Sequence, residues 1–323
     1  MTDSEYFSRA GLSNSSMKDL AVSPFRFWHL HINPNRPEKR ETPEMKFGSA
    51  LHCAVLEPEK YEHRFASELV PEDIPGCLRT ADDLRGWLKD KALPYSGKLK
   101  GELIDRIQKN DPTVKIFDVE ETVHAARNRN KTWLSRADWD RCRNCAEALR
   151  SEPAVAEILS QGRAEVPMFA THPETGVLLK GKLDWVRDDA TIDIKTFSQQ
   201  RGKSIDRSVT DAIWYEGYAK QAYLYGLIRS LQPGFPKPGI AAKAPPFTLC
   251  FVESEAPFEV RLRSIVPVEA GTASLLWERA RYEVTNLIRL YASYVERYGD
   301  KPWREPRQVE AICDEEIPAL AYA

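Results

Sequence analysis

No run of about eighteen apolar residues, the length a helix needs to cross a bilayer, occurs in this chain, so no membrane span is expected. The opening stretch MTDSEYFSRAGLSNSS holds no apolar signal region, and a cytoplasmic protein in a bacterial host cell is the expectation. An excess of charge of one sign is missing too. The 46 Lys and Arg against 48 Asp and Glu leave a net charge of −2. No global basic field draws in a polyanion, so any nucleic-acid contact must use a local patch or groove. There is no Walker loop, no glycine-rich phosphate fingerprint and no internal repeat. Cysteines are few and scattered, at Cys53, Cys77, Cys142, Cys145, Cys250 and Cys313, and read as reduced thiols. Cys142 and Cys145 have metal-like spacing, but they lie in a helical pattern and lack a partner pair.

What is present is a chain of 323 residues with 42% hydrophobic content, enough for one large or two smaller domains around a core. The stretch GKLDWVRDDATIDIKTF, residues 181–197, carries the most chemistry. Two alternating runs, Val177 to Arg187 and Thr191 to Phe197, flank the polar pair Asp188-Asp189, a hairpin pattern. A two-residue loop would set Arg187 against Ala190 and therefore Asp184 against Asp193, with Cβ atoms about 4.5–5.5 Å apart. The period of two puts Asp184, Lys182, Asp193 and Lys195 on one face, with Leu183, Trp185, Ile192 and Ile194 on the other. Opposed carboxylates repel unless a cation lies between them. Lysine can serve, and a hard divalent cation such as Mg²⁺ serves better. The spacing D-x8-D-x-K alone equally fits a solvated hairpin edge with a surface ion pair.

Other segments place further candidates. A helix is expected from about Pro43 to Leu56, with Gly48 and His52 on one face. Residues 79–112 read as helix, extended turn and helix. Thr80 caps the first helix, Leu84, Trp87 and Leu88 line its inner face, and Leu103, Ile104 and Ile107 line that of the second. Lys98, Lys100, Arg106 and Lys109 lie outward, interleaved with acidic residues. Residues 131–160 read as helical, with Ser135 as a cap. A strand near Glu165 then leads into the hairpin. Ser198 to Ser208 reads as a loop, and DAIWYEGYAKQAYLYGLIRSL as one long helix with Gln221 and Tyr225 on one face. A Pro-rich loop, two strands and a helix from about Val268 to Tyr298 follow.

The order Gly48-x3-His52, Glu165, Asp184-x8-Asp193-x-Lys195, Gln221-x3-Tyr225 resembles the RecB-like branch of the PD-(D/E)XK nucleases. FGSALHCAVLEPEKYEHRF, TGVLLKGKLDWV, TIDIKTF and YAKQAYLYG look closest to the RecE-type exodeoxyribonucleases, the exonuclease VIII family. The resemblance covers most of residues 13–310. Residues 79–112 resemble instead a SAP-type DNA-binding helix–extended–helix motif. Leu183 stands where the family usually has proline, a position that supplies no ligand.

The resemblance implies an α/β fold: a restriction-endonuclease-like core with a mixed central sheet flanked by helices, plus a small helical insertion. It divides the chain into residues 1–70, an insertion at 79–112 and the remaining core at 113–323. It implies a Mg²⁺ site, with Mn²⁺ as a substitute, built from Asp184, Asp193, Glu165, His52 and the Ile194 carbonyl, with room for two ions. Lys195 would position or activate the attacking water. Gln221 and Tyr225 would contact the DNA end or steady Lys195. The implied partners are linear duplex DNA, a single-strand annealing protein and further copies of the chain. Three rivals stand beside this reading: a non-catalytic DNA-binding recombination scaffold, an endonuclease of the same fold, and a small-phosphoester hydrolase.

Overall fold

The computed structural model describes residues 1, 3–38, 41–97, 99–233, 245–269, 272–306 and 309. Lys98, Cys313 and most of the Pro-rich loop after Leu231 lie outside them. Two short strands, β1 (Phe65–Ser67) and β2 (Thr132–Leu134), pair in parallel. The main sheet holds five strands in chain order: β3 (Arg163–Thr171), β4 (Leu178–Val186), β5 (Thr191–Phe197), β6 (Phe247–Glu253) and β7 (Val260–Ile265). Neighbours are antiparallel except β5 and β6, which run parallel. Parallel neighbours need a crossover connection. Helices Ile205–Tyr215 and Tyr218–Ser230 lie within it.

Apolar side chains leave both faces of the sheet, so helices cover both. One cluster joins Leu183, Val186, Phe197 and Phe251 to helices Asn14–Val22, Tyr218–Ser230 and Leu275–Tyr298. The other joins Ile192, Ile194, Cys250 and Val252 to helices Pro43–Leu56 and Arg136–Ser151. No helix among the described residues is long and apolar enough to cross a membrane. The mixed sheet between helical layers is the fold that the motif order implies.

Local signals place several elements. Thr42 and Ser135 cap the helices that begin at Pro43 and Arg136, with Pro43 at the first turn. Residues 79–112 do form two helices, Ala81–Asp90 and Lys100–Asn110. Thr80 makes a capping box, and Leu84, Leu88, Leu103 and Ile107 close a small core with Ile116. Two of its outward cations are already engaged: Lys100 pairs with Asp118 at 2.6 Å, and Arg106 donates to the Pro94 and Ser96 carbonyls.

The sequence reading needs correction elsewhere. Residues 132–134 are a strand, not helix. The expected long helix is two, broken at Gly217, whose φ is +69°. The first of these starts at Ile205, inside the expected loop. The last helix starts at Leu275, after a two-stranded pair formed by Val268–Glu269 and Thr272–Ala273. Helix Phe117–Arg127 went unread.

The hairpin turns as its loop residues imply, with the Arg187 N–H donating to the Ala190 carbonyl at 3.0 Å. Its ladder, however, holds only Trp185↔Ile192 and Val186↔Thr191. Beyond them, the Ile194 N–H donates to Asp184 Oδ2 at 2.9 Å. A side chain thus takes a donor that a strand carbonyl would otherwise accept, and β4 and β5 part. Alternation fails at the same point: Leu183 joins one core cluster while Trp185 packs against the other. The expected pairing of one apolar face with one charged face is therefore replaced by a polar fork between two strands at the centre of the sheet.

Candidate metal centre and active site

Two groups of side chains meet at this fork. The first holds His52, Glu165 and Asp184, whose candidate ligand atoms all lie within 4.8 Å of one another. His52 comes from the capped helix Pro43–Leu56. Its Nδ1 is 3.4 Å from Asp184 Oδ2 and 3.9 Å from Glu165 Oε1. Its Nε2 is 3.1 Å from the Ile194 carbonyl. A proton on Nε2 donated to that carbonyl leaves the Nδ1 lone pair facing the carboxylates. Gly48, one turn earlier, has open space around it. Glu165 lies between Ala164 and Val166, which pair with Trp185 and Leu183, so it falls level with Asp184 in the register. Its φ of +53° lies in the left-handed region that disfavours side chains with a Cβ. Such strain is common where a side chain must be aimed. Lys182 forms an ion pair with the Glu165 carboxylate.

The second group runs from helix to sheet. Gln221 Nε2 donates to Asp193 Oδ1 at 2.7 Å, and Lys195 pairs with Asp193 Oδ2. Asp193 is 1% exposed. Tyr225, one turn beyond Gln221, is also buried; its ring meets the position that a Cβ on Gly181 would take. Tyr225 thus packs as a wall against β4. Gln221 is linked to Lys195 through the Asp193 carboxylate.

Burial and the neighbouring Asp193 push the Asp184 carboxyl up to about 7, against the pull of His52 and Lys195. Burial alone would lower Lys195, but Asp193 and Asp184 outweigh it and hold the lysine above its ordinary range. In the metal-free protein it is therefore held as an ammonium, a hydrogen-bond donor. Burial likewise raises Tyr225 well above its usual range and Tyr218 to about 12.

The donor set suits a hard divalent cation: two carboxylates with one imidazole. Asp184 fits especially well, because a buried carboxyl with a raised pKa gains most from a cation. Of the five expected ligands, His52, Glu165 and Asp184 converge, and the Ile194 carbonyl adjoins them through His52. Asp193 faces Asp184 but is engaged by Gln221 and Lys195. Sequence reasoning gave no role to Lys182 or Tyr218. The signal for Lys182 was its place two residues before Asp184, and for Tyr218 its place three before Gln221 on one helix. Cys142 and Cys145 are buried in the core on helix Arg136–Ser151, and burial pushes their thiols up to about 12 and about 11.

Residues 13–292 match the family described as "PDDEXK-like domain of unknown function (DUF3799)". The chain belongs to that family. Its fold is that of the PD-(D/E)XK nuclease superfamily, an α/β core with a mixed sheet flanked by helices. A solved structure from Eubacterium rectale, called "Putative exonuclease", is similar over 98% of this chain and 92% of its own, with 15% identity and a TM-score of 0.54. At that identity the likeness shows the fold. A second solved chain, SSO0001, is similar over 48% of this chain and 69% of its own, with 13% identity and a TM-score of 0.23, too low to carry an argument. No curated protein matches the chain.

Proposed function

We propose that this protein is a metal-dependent exodeoxyribonuclease of the RecE type, hydrolysing phosphodiester bonds from duplex ends, 5′ to 3′, in phage-type or bacterial recombination. The observation that supports it most is the meeting, at one strand fork, of the His52–Glu165–Asp184 cluster with the Gln221–Asp193–Lys195 chain. Mg²⁺, or Mn²⁺ in its place, would be held by His52, Glu165 and Asp184, with the Ile194 carbonyl and Asp193 beside them, and supplies Lewis-acid stabilisation of charge on the scissile phosphate. Lys195 donates a hydrogen bond to a phosphate oxygen as the attacking water oxygen bonds to phosphorus and the P–O ester bond breaks; the water's proton passes to solvent, and the departing ester oxygen takes one from solvent. Asp193 orients that ammonium, and Gln221 fixes Asp193. His52, through its bond to the Ile194 carbonyl, ties the Pro43–Leu56 helix to the same strand. A homo-oligomer, a single-strand annealing partner and an added DNA contact by the 79–112 insertion belong to the same reading.

The test is Mg²⁺-dependent release of acid-soluble nucleotides from linear and from covalently closed duplex, with wild type, Asp193→Ala and Lys195→Ala. Digestion of linear DNA only, lost in both variants while DNA binding persists, is expected, since binding is mainly phosphate electrostatics. Cutting of closed circles would make the protein an endonuclease. Undiminished turnover in either variant would remove the mechanism.

A further inference from the structure

The Lys195 ammonium stands 5.2 Å from the centre of the Tyr218 ring, within the roughly 6 Å over which a cation is attracted to an aromatic face. Its other close partner is Asp193. The ring is itself supported. Its centroid is 5.9 Å from that of Phe251, which is fully buried and pairs with Lys195 across the β5–β6 ladder. Tyr218 opens its helix directly after the break at Gly217, where a Cβ would come within 2.9 Å of Lys220 Cε. The break, the aromatic prop and the strand register therefore all fix where this ring lies relative to the lysine.

We propose that Tyr218 is a positioning residue that holds the Lys195 ammonium by a cation–π contact, so that the lysine keeps one orientation toward the scissile phosphate. This rests on the nuclease reading. A lysine stem has several rotatable bonds, and one carboxylate partner constrains a point charge poorly. The ring adds a second constraint without competing for the ammonium's hydrogen-bond donors. The contact needs the ring face and not the hydroxyl, which separates it from a role in proton transfer or metal binding.

The test compares wild type, Tyr218→Phe, Tyr218→Leu and Lys195→Ala in single-turnover cleavage of a short linear duplex with Mg²⁺. The apparent Kd for the same duplex and the NMR shift of the Lys195 ε-methylene are read in parallel. Tyr218→Leu should cleave about tenfold more slowly, equivalent to about 1.4 kcal/mol, with Kd within twofold. Tyr218→Phe should cleave at the wild-type rate. The ε-methylene, assigned by its loss in Lys195→Ala, should be ring-shifted upfield in wild type and Tyr218→Phe and unshifted in Tyr218→Leu. Wild-type cleavage by Tyr218→Leu, equal damage from both substitutions, or an unshifted methylene in wild type would overturn the proposal. A wild type that cleaves nothing removes the nuclease reading, and the ring shift then decides by itself whether the tyrosine holds the lysine.

Discussion

Replacing Asp184 with asparagine should stabilise the metal-free protein at alkaline pH while destroying its activity. The residue is 8% exposed, and burial with the adjacent Asp193 raises its carboxyl from 3.8 to about 7. A group whose pKa is raised by folding contributes stability below its unfolded value and loses that contribution as pH rises through the folded value. The loss therefore falls between about pH 4 and pH 7. Each pH unit is worth about 1.4 kcal/mol, so the three-unit gap sets a ceiling of about 4 kcal/mol. Asparagine stays neutral and its carbonyl can still accept the Ile194 N–H. Relaxation around the site reduces the gain, and about 1–3 kcal/mol is expected at pH 8, with almost none at pH 4. Urea denaturation in EDTA at several pH values measures it, the difference between the two proteins cancelling the titrating groups that do not interact with Asp184. Added Mg²⁺ should reverse the order by stabilising wild type alone, as a ligand that binds only the folded state does. A variant no more stable than wild type at pH 8 would refute the view that ionised Asp184 is a strained, cation-seeking group.

Two further outcomes follow from packing. Gly181→Ala places a Cβ 2.9 Å from Tyr225 Cε1 in a fully packed wall, so a loss of about 1–3 kcal/mol in urea denaturation is expected; an unchanged midpoint would mean the wall yields. Among the described cysteines, Cys77 should react first with an aromatic disulfide reagent in the native protein. Cys53, Cys142, Cys145 and Cys250 are buried with raised thiols and should need denaturant. Prompt native labelling of Cys142 would contradict the packing of its helix.

Much of the hairpin was legible because its spacing is tied to backbone periods. The loop at Asp188-Asp189 correctly sets Arg187 against Ala190, and the same register gives Trp185↔Ile192. It fails one step later, because alternation takes no account of a side chain that competes for a backbone donor, as Asp184 does for Ile194. Helical spacing placed His52 on a face with Gly48 and Gln221 on a face with Tyr225, and only the family resemblance brought either residue to the site. The break at Gly217 was not legible, since a glycine inside a helical pattern is tolerated as often as it interrupts. The burial of Tyr225 was not legible, because a motif fixes which helix face a residue occupies but not how deeply that face is buried. Lys100 and Arg106 looked available for DNA, and only the folded insertion shows Asp118 and two turn carbonyls already facing them.

The short β4–β5 ladder has a mechanical consequence. The sheet is two leaves, β3–β4 and β5–β6–β7, joined like the legs of a pair of compasses by two residue pairs, one tight turn and the bond from the Ile194 N–H to Asp184. The pivot is clamped by Arg229, whose guanidinium donates to the Arg187 carbonyl at 2.7 Å, the Ala190 carbonyl at 2.8 Å and Thr191 Oγ1 at 2.7 Å. Asp184 rides on one leg and Asp193 on the other. The span between the two carboxylates is therefore set at a turn that carries neither of them.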